Sequence, residues 1–419
     1  MTSFTKFIDF SFKIFQGIAS YFTIILTARF LGTEDYSYLS VLGMVLVSIC
    51  VVDLGFNTRL INNYLSKIKL NIDVDRNTES NLFFQIFKQR KKTLFKIFLL
   101  QILVFASIYL ILEETFNANH PISYFIVSVF SLFVMFLGAR FSSYLIALGK
   151  TRTLFKIQGL GSILQLFVIV LIGESNLTLI SYIPVLALPN LLVIKLVFGK
   201  WFKTRKIPVL DIKLLDVYEP LRTQLSVSVQ ISQSLQFLQG FAVPMILTQL
   251  YDDLMFASVI TQYRICMALI SSAGTLALSE WSSIDQDEFD RIEPTRTYRI
   301  QMLSQLMKNY LLLIGFIAAS IPVIGTFIWD FLSSNFPNPP LISWLLWGFV
   351  LFFYESFTIL SIVETRLGRY DVLLYLNLSQ FLSCSFLFYL PFLQSNASYP
   401  LNIAFSYLVA ILGTSLIKR

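Results

Sequence analysis

The chain has 419 residues, of which 56% are hydrophobic and only 14% charged, and its mean hydropathy is +0.70. A water-soluble domain of that composition would expose apolar surface over most of its area, so a soluble globular protein is excluded and a bilayer is the natural solvent. The net charge of +7 comes from 32 basic and 25 acidic residues in short gaps between apolar runs, a pattern that implies no nucleic-acid partner.

A helix needs about 20 apolar residues to cross about 30 Å of hydrocarbon. On that template, spans are predicted near residues 7–30, 36–58, 95–112, 122–146, 157–173 and 178–198. Six more are predicted near 223–248, 254–278, 307–329, 341–362, 372–392 and 399–416. The first run is too long for the core of a signal peptide and lacks a small-residue cleavage site after it, so it reads as a retained helix. The fifth and sixth spans are separated only by the short gap Gly173-Glu174-Ser175-Asn176.

Lys and Arg collect on the cytoplasmic flanks of membrane helices. With the N-terminus and every second gap placed inside, 30 of the 32 basic residues fall on one side. The opposite gaps carry Glu34, Asp35, Glu113, Glu114, Glu174, Asp252, Asp253 and Asp330. The expected topology is therefore about 12 transmembrane helices in an inner (cytoplasmic) membrane, with both termini cytoplasmic. The cluster from Lys88 to Lys92 follows the apolar Leu82-Phe83-Phe84 and Ile86-Phe87, a pattern also suited to resting on anionic lipid headgroups.

Cys50, Cys266 and Cys384 lie in apolar runs without Cys-x-x-Cys spacing and read as small buried hydrophobes. His120, the single histidine, sits in a short polar loop, so no histidine-based metal site or nucleophilic relay can form within the spans. No cofactor or metal is expected.

Two segments repeat. Ala147-Leu148-Gly149-Lys150 after the fourth span resembles Arg366-Leu367-Gly368-Arg369 after the tenth, and Leu26-Thr27 closing the first resembles Leu247-Thr248 closing the seventh. Their nearly equal offsets, 219 and 221 residues, point to two six-helix halves in parallel orientation. The expected division is an N-terminal bundle over 1–205, a cytoplasmic linker over 206–222 and a C-terminal bundle over 223–419.

Thr27-Ala28-Arg29-Phe30-Leu31-Gly32-Thr33-Glu34-Asp35-Tyr36, followed by Val52-Asp53-Leu54-Gly55-Phe56 and then Ala147 to Lys150, resembles the polysaccharide-transporter family of O-antigen and capsule repeat-unit flippases. Ser37 stands where that family usually has glycine, and the second half matches mainly in topology and in Leu367-Gly368-Arg369. The resemblance implies the fold of the multidrug and oligosaccharidyl-lipid exporter superfamily, two six-helix bundles forming a V around a central cavity. It also implies translocation of an oligosaccharide linked to undecaprenyl pyrophosphate. Lipid-linked oligosaccharide and membrane lipids are then the expected partners, along with a polysaccharide polymerase and chain-length machinery.

A pyrophosphate head needs a polar path through hydrocarbon, and arginine suits it because its fork binds phosphate bidentately and stays charged when desolvated. Only Arg29 and Arg264 fall outside the one-sided basic set. Arg264 is ten residues into the eighth span, about 15 Å deep, where an unpaired arginine costs at least about 2.5–3.5 kcal/mol. It is expected either to face the substrate path or to pair with Glu355, at comparable depth in the tenth span. Arg29, one turn from the outer end of the first span, reads either as a phosphate contact or as a side chain snorkelling to headgroups. Arg59 and Arg140 read as ordinary inner-flank residues or as contacts at the cytoplasmic mouth.

In the seventh span, Ser226, Gln230, Gln233 and Ser234 make a polar stripe, with Gln236 and Gln239 drifting off it. The choice lies between interhelical hydrogen bonds and a sugar-lining wall, and Gly240 and Pro244 allow this helix to bend. Asp53 reads as a helix-end acid, and either Asp53 or Glu355 as a coupling-ion site.

The leading expectation is a flippase working by alternating access. A cation-coupled multidrug exporter of the same superfamily is the second. A membrane polysaccharide polymerase or acyltransferase is disfavoured because the outer loops are short and no paired catalytic acids stand out.

Overall fold

The computed structural model describes residues 3–52, 76–147, 151–175, 177–203, 227–281, 314–327, 329, 339–366, 370–388 and 398–417. Among them the first half contributes α1 (Ser3–Phe30), α2 (Thr33–Val51), α3 (Arg76–Thr115), α4 (Ile122–Ala147), α5 (Thr151–Glu174) and α6 (Leu188–Lys203). The second contributes α7 (Val227–Leu250), α8 (Asp253–Trp281), α9 (Ile314–Phe327), α10 (Leu341–Arg366), α11 (Tyr370–Phe388) and α12 (Ser398–Ile417). No strand occurs among the described residues.

Five stretches, Lys91–Thr115, Ile122–Ser143, Thr153–Glu174, Leu179–Val197 and Leu341–Ser361, are long and apolar enough to cross a membrane. Large apolar side chains stand on the outside, among them Leu110 at 70% and Phe316 at 75% exposure, as a hydrocarbon solvent permits and water does not. The chain is a multi-pass membrane protein. Every described even-numbered helix begins at the end that carries Glu34, Asp35, Asp252 and Asp253, called here the acidic end, and α6 and α10 finish at Lys203 and Arg366 at the other.

Two elements depart from their expected form. α3 runs for 40 residues, about 60 Å, so it continues through the Lys88 to Lys92 cluster for about twice the thickness of the hydrocarbon. The sixth span enters as two 3-10 turns, Leu179–Ser181 and Pro184–Ala187, before α6 begins. Pro184 and Pro189 supply no N–H, and proline disfavours the α conformation of the residue before it, which suits short turns to this entry.

The packing follows a rule: adding six to each helix number carries contacts of the first half onto the second. Thus α1 packs on α5 as α7 does on α11, α5 on α6 as α11 on α12, α4 on α6 as α10 on α12, and α2 on α4 as α8 on α10. These are two helical lobes. Between them α1 meets α8, α2 meets α7, and α2 meets α8, so the seam is also preserved when the halves are exchanged. Close approaches within lobes use glycine: a Cβ on Gly161 would stand 2.6 Å from the Pro189 Cα, and one on Gly348 would stand 2.7 Å from the Ala318 carbonyl.

Candidate functional site at the lobe seam

Tyr36 and Ser40 are four residues apart on α2 and share one face, as do Ala257, Thr261 and Arg264 on α8. These faces meet. Arg264 donates from Nη1 to Ser40 Oγ at 2.8 Å, and its guanidinium lies 5.6 Å from the centroid of the Tyr36 ring. The Thr261 hydroxyl donates to the Ala257 carbonyl at 2.6 Å and stands 3.2 Å from the Tyr36 hydroxyl. Tyr36 and Thr261 are fully buried and Ser40 is 1% exposed, so the polar tie is sealed by core from both lobes.

Arg264 points where helix geometry directs it. Helical side chains lean toward the N-terminus of their own helix, and α8 begins at the acidic end, so the guanidinium reaches outward to Ser40 in the second turn of α2. Glu355 is buried at 1% on α10, where the neighbouring Tyr354 and Phe357 rings pack on Tyr407 of α12. The contacts of Arg264 run across the seam to the other lobe.

Arg140 is fully buried. Its Nη1 donates to the Cys50 carbonyl at 3.4 Å and to the Phe136 carbonyl at 3.2 Å, and its guanidinium lies 3.8 Å over the Phe136 ring. From α3, Gln101 Nε2 donates to the carbonyls of Ile49 at 2.9 Å and Val52 at 2.8 Å. Together they cap the C-terminal end of α2, where unpaired carbonyls and the negative pole of the helix favour a donor and a cation. Arg29 is exposed in the last turn of α1, also a favourable place for a cation. Asp53 and Arg59 lie outside the described residues.

The α7 amides divide. Gln236 Nε2 donates to Asn377 Oδ1 at 3.2 Å, and Asn377 Nδ2 donates to Ser232 Oγ at 2.7 Å, tying α7 to α11. Gln230 and Gln233 are half-buried, and the Ser234 hydroxyl donates back to the Gln230 carbonyl at 2.9 Å. Ser226 lies outside the described residues. Deeper in the C-terminal lobe, Gln262 Oε1 accepts from Ser343 Oγ at 2.7 Å and from Trp347 Nε1 at 3.1 Å. Tyr263, Trp347 and Tyr399 form a triangle of rings with centroids 5.6–6.4 Å apart.

Sequence reasoning singled out Arg264, and Tyr36 only as the last residue of a family motif, but not Ser40, Thr261, Gln101 or Asn377. An amide inside an apolar run was a usable signal for Gln101 and Asn377. Hydroxyls carry little such signal, because a helix satisfies them locally.

No family model matches the chain, and no curated protein matches it in sequence. Solved structures do share its fold. An inward-facing multidrug resistance MATE family transporter of the MOP superfamily aligns over 98% of this chain and 97% of its own, with a TM-score of 0.62 and 11% identity. The lipid II flippase MurJ in an inward closed conformation aligns over 98% of this chain and 88% of its own, at 0.60 and 14%. The eukaryotic MATE transporter AtDTX14 aligns over 99% and 95%, at 0.58 and 14%. These neighbours are transporters and a flippase rather than enzymes, and the chain has the two-lobed helical fold that they share.

Proposed function

We propose that the protein is a flippase moving an undecaprenyl-pyrophosphate-linked oligosaccharide repeat unit (O-antigen, capsule or exopolysaccharide) from the inner to the outer leaflet by alternating access. The observation that carries this reading is Arg264, a cation on the lobe seam held by the opposite lobe through one hydroxyl. A guanidinium has five N–H donors and stays charged when desolvated. Ser40 takes one of them, so a pyrophosphate entering between the lobes can take the fork while the seam opens. The polysaccharide-transporter motifs around Arg29, Asp53 and Gly149 support the cargo class, and the MurJ likeness supports the fold required.

In this reading the acidic end faces away from the cytoplasm, in a bacterial inner membrane. The described hydrogen bonds between lobes lie near that end, as a state open toward the basic side requires. Polymerase and chain-length machinery would use the delivered product. The test is Arg264→Ala in native cells, with surface polysaccharide and protein level measured together: export is lost at normal level, and unchanged export contradicts the role.

A cation-coupled multidrug exporter is the second reading, favoured by the MATE likeness at a TM-score of 0.62. Growth inhibition by cationic drugs separates the two, because a drug exporter confers resistance and a lipid-linked-sugar flippase does not.

A further inference from the structure

The connection between α3 and α4 is folded around one carboxylate. α3 ends with Asn117 in the left-handed region at φ 47°, the Ala118 N–H donating to the Glu113 carbonyl at 2.8 Å and the Asn117 N–H to the Glu114 carbonyl at 3.2 Å. This pair of bonds is a Schellman end, with asparagine in the place that glycine usually takes. It turns the chain back so that the His120 N–H donates to Glu113 Oε2 at 2.8 Å, and His120 Nδ1 lies 2.9 Å from Oε1. The same Oε1 accepts from the Tyr38 hydroxyl of α2 at 2.6 Å. The His120 ring packs against Tyr38 and Tyr124, each at 4.5 Å between centroids.

Phe116 is at the apex of this turn. Its ring meets Tyr38 at 5.7 Å on its own lobe and Phe256 of α8, on the other lobe, at 6.2 Å. Phe256 is 2% exposed and two helical turns from Arg264, so the aromatic contact closes the acidic end just outside the Arg264 to Ser40 tie.

We infer that the α3–α4 turn is a latch across the seam: Glu113 binds Tyr38 and His120 and so presents Phe116 to Phe256, favouring the state closed at the acidic end. The aromatic contact supplies the cross-lobe attraction, and the carboxylate supplies the preorganisation that keeps Phe116 from retreating with its own loop. Tyr38 places the latch on α2, which also bears the Ser40 acceptor. When Glu113 releases Tyr38 or His120, the contact with Phe256 loses its backing and the open state gains population. The groups facing Glu113 are Tyr38 from α2, Tyr109 from α3 and His120 from its own connection. The inference rests on the reading that the lobes part.

The test is a distance measurement by double electron–electron resonance on the full chain in lipid nanodiscs. Spin labels go at Glu174→Cys on α5 and Leu341→Cys on α10, exposed positions on different lobes at the acidic end, while the three native cysteines are buried. Undecaprenyl pyrophosphate is the added probe. The expected result is a short-distance population in the parent that falls severalfold in Glu113→Gln, His120→Ala and Phe116→Ala, with Tyr38→Phe between. Two distances whose ratio ignores all four substitutions overturn the latch while leaving alternating access intact. A single distance in every variant, with and without the probe, overturns alternating access and the latch with it. His120→Ala, a half-buried loop substitution, keeps the test decisive if a helix variant fails to fold.

Discussion

Arg264 on α8 and Ser40 on α2 join the two lobes through a hydrogen bond of 2.8 Å, placed about two turns inward from the acidic end of α2 and about three from that of α8. A bond between a cation and a hydroxyl at that position serves two purposes that mutation can separate. It holds the seam, and it keeps a phosphate-binding cation where a substrate must pass.

Ser40→Ala removes the hydroxyl and leaves the cation. A hydrogen bond to a charged group is worth about 1.5–3 kcal/mol, so the closed acidic end loses population while the arginine remains available to phosphate. Export persists in Ser40→Ala and fails in Arg264→Ala, with both proteins at normal level. Surface polysaccharide measured by immunoblot checks the contrast, and equal loss in both assigns Arg264 to the seam alone.

Arg140 and Gln101 act on stability. Arg140→Met removes a charged donor from the Cys50 carbonyl, and Gln101→Leu leaves the Ile49 and Val52 carbonyls without the amide. Each costs about 1–3 kcal/mol, the Cys50 or the Val52 carbonyl losing a donor while Ile49 keeps the Val52 N–H. The expected outcome is a lower Tm in detergent, with export falling in step with protein level. Both cap one helix end, so the double variant departs from additivity by about 0.5–3 kcal/mol.

Gln262→Leu removes the acceptor for Ser343 and Trp347 inside the C-terminal lobe. Leaving the buried indole N–H unsatisfied costs about 1–3 kcal/mol. A lower Tm with an altered tryptophan emission spectrum is expected, and Gln262→Glu, which keeps an acceptor for Ser343 and Trp347 but loses the amide donor to Ser258, restores part of the loss.

Asn377→Leu cuts the tie between α7 and α11. Double-mutant cycles for hydrogen bonds between membrane helices average about 0.6 kcal/mol, so the expected destabilisation is small. A cycle with Gln236→Leu isolates the pair, and a coupling near zero would mean the two amides are satisfied elsewhere.

The helices were legible because hydrocarbon demands long apolar runs, and the repeat because two short turns recur at nearly one offset. The Ser232, Gln236 and Asn377 network shows where the polar stripe on α7 was read incompletely: the pattern marked the helix, but its partner sits 141 residues away from Gln236. Arg264 was found by charge accounting, yet its partner was sought at equal depth on α10. α8 packs on α2 across the seam as well as on α10, and the guanidinium finds Ser40 there. His120 stood in a loop with nothing in its neighbours to announce Tyr38, because that contact depends on how α3 ends. Local pattern locates a side chain along its helix, and tertiary packing decides what it meets.

The most direct measurement of the central claim is leaflet transfer of a fluorescent undecaprenyl-pyrophosphate-linked sugar in proteoliposomes, followed by quenching from one side. The account predicts transfer with the parent protein, a rate at least about tenfold lower with Arg264→Ala, corresponding to about 1.4 kcal/mol, and a retained rate with Ser40→Ala. Equal transfer by the parent and Arg264→Ala, or no transfer above protein-free vesicles by a folded parent protein, would contradict it.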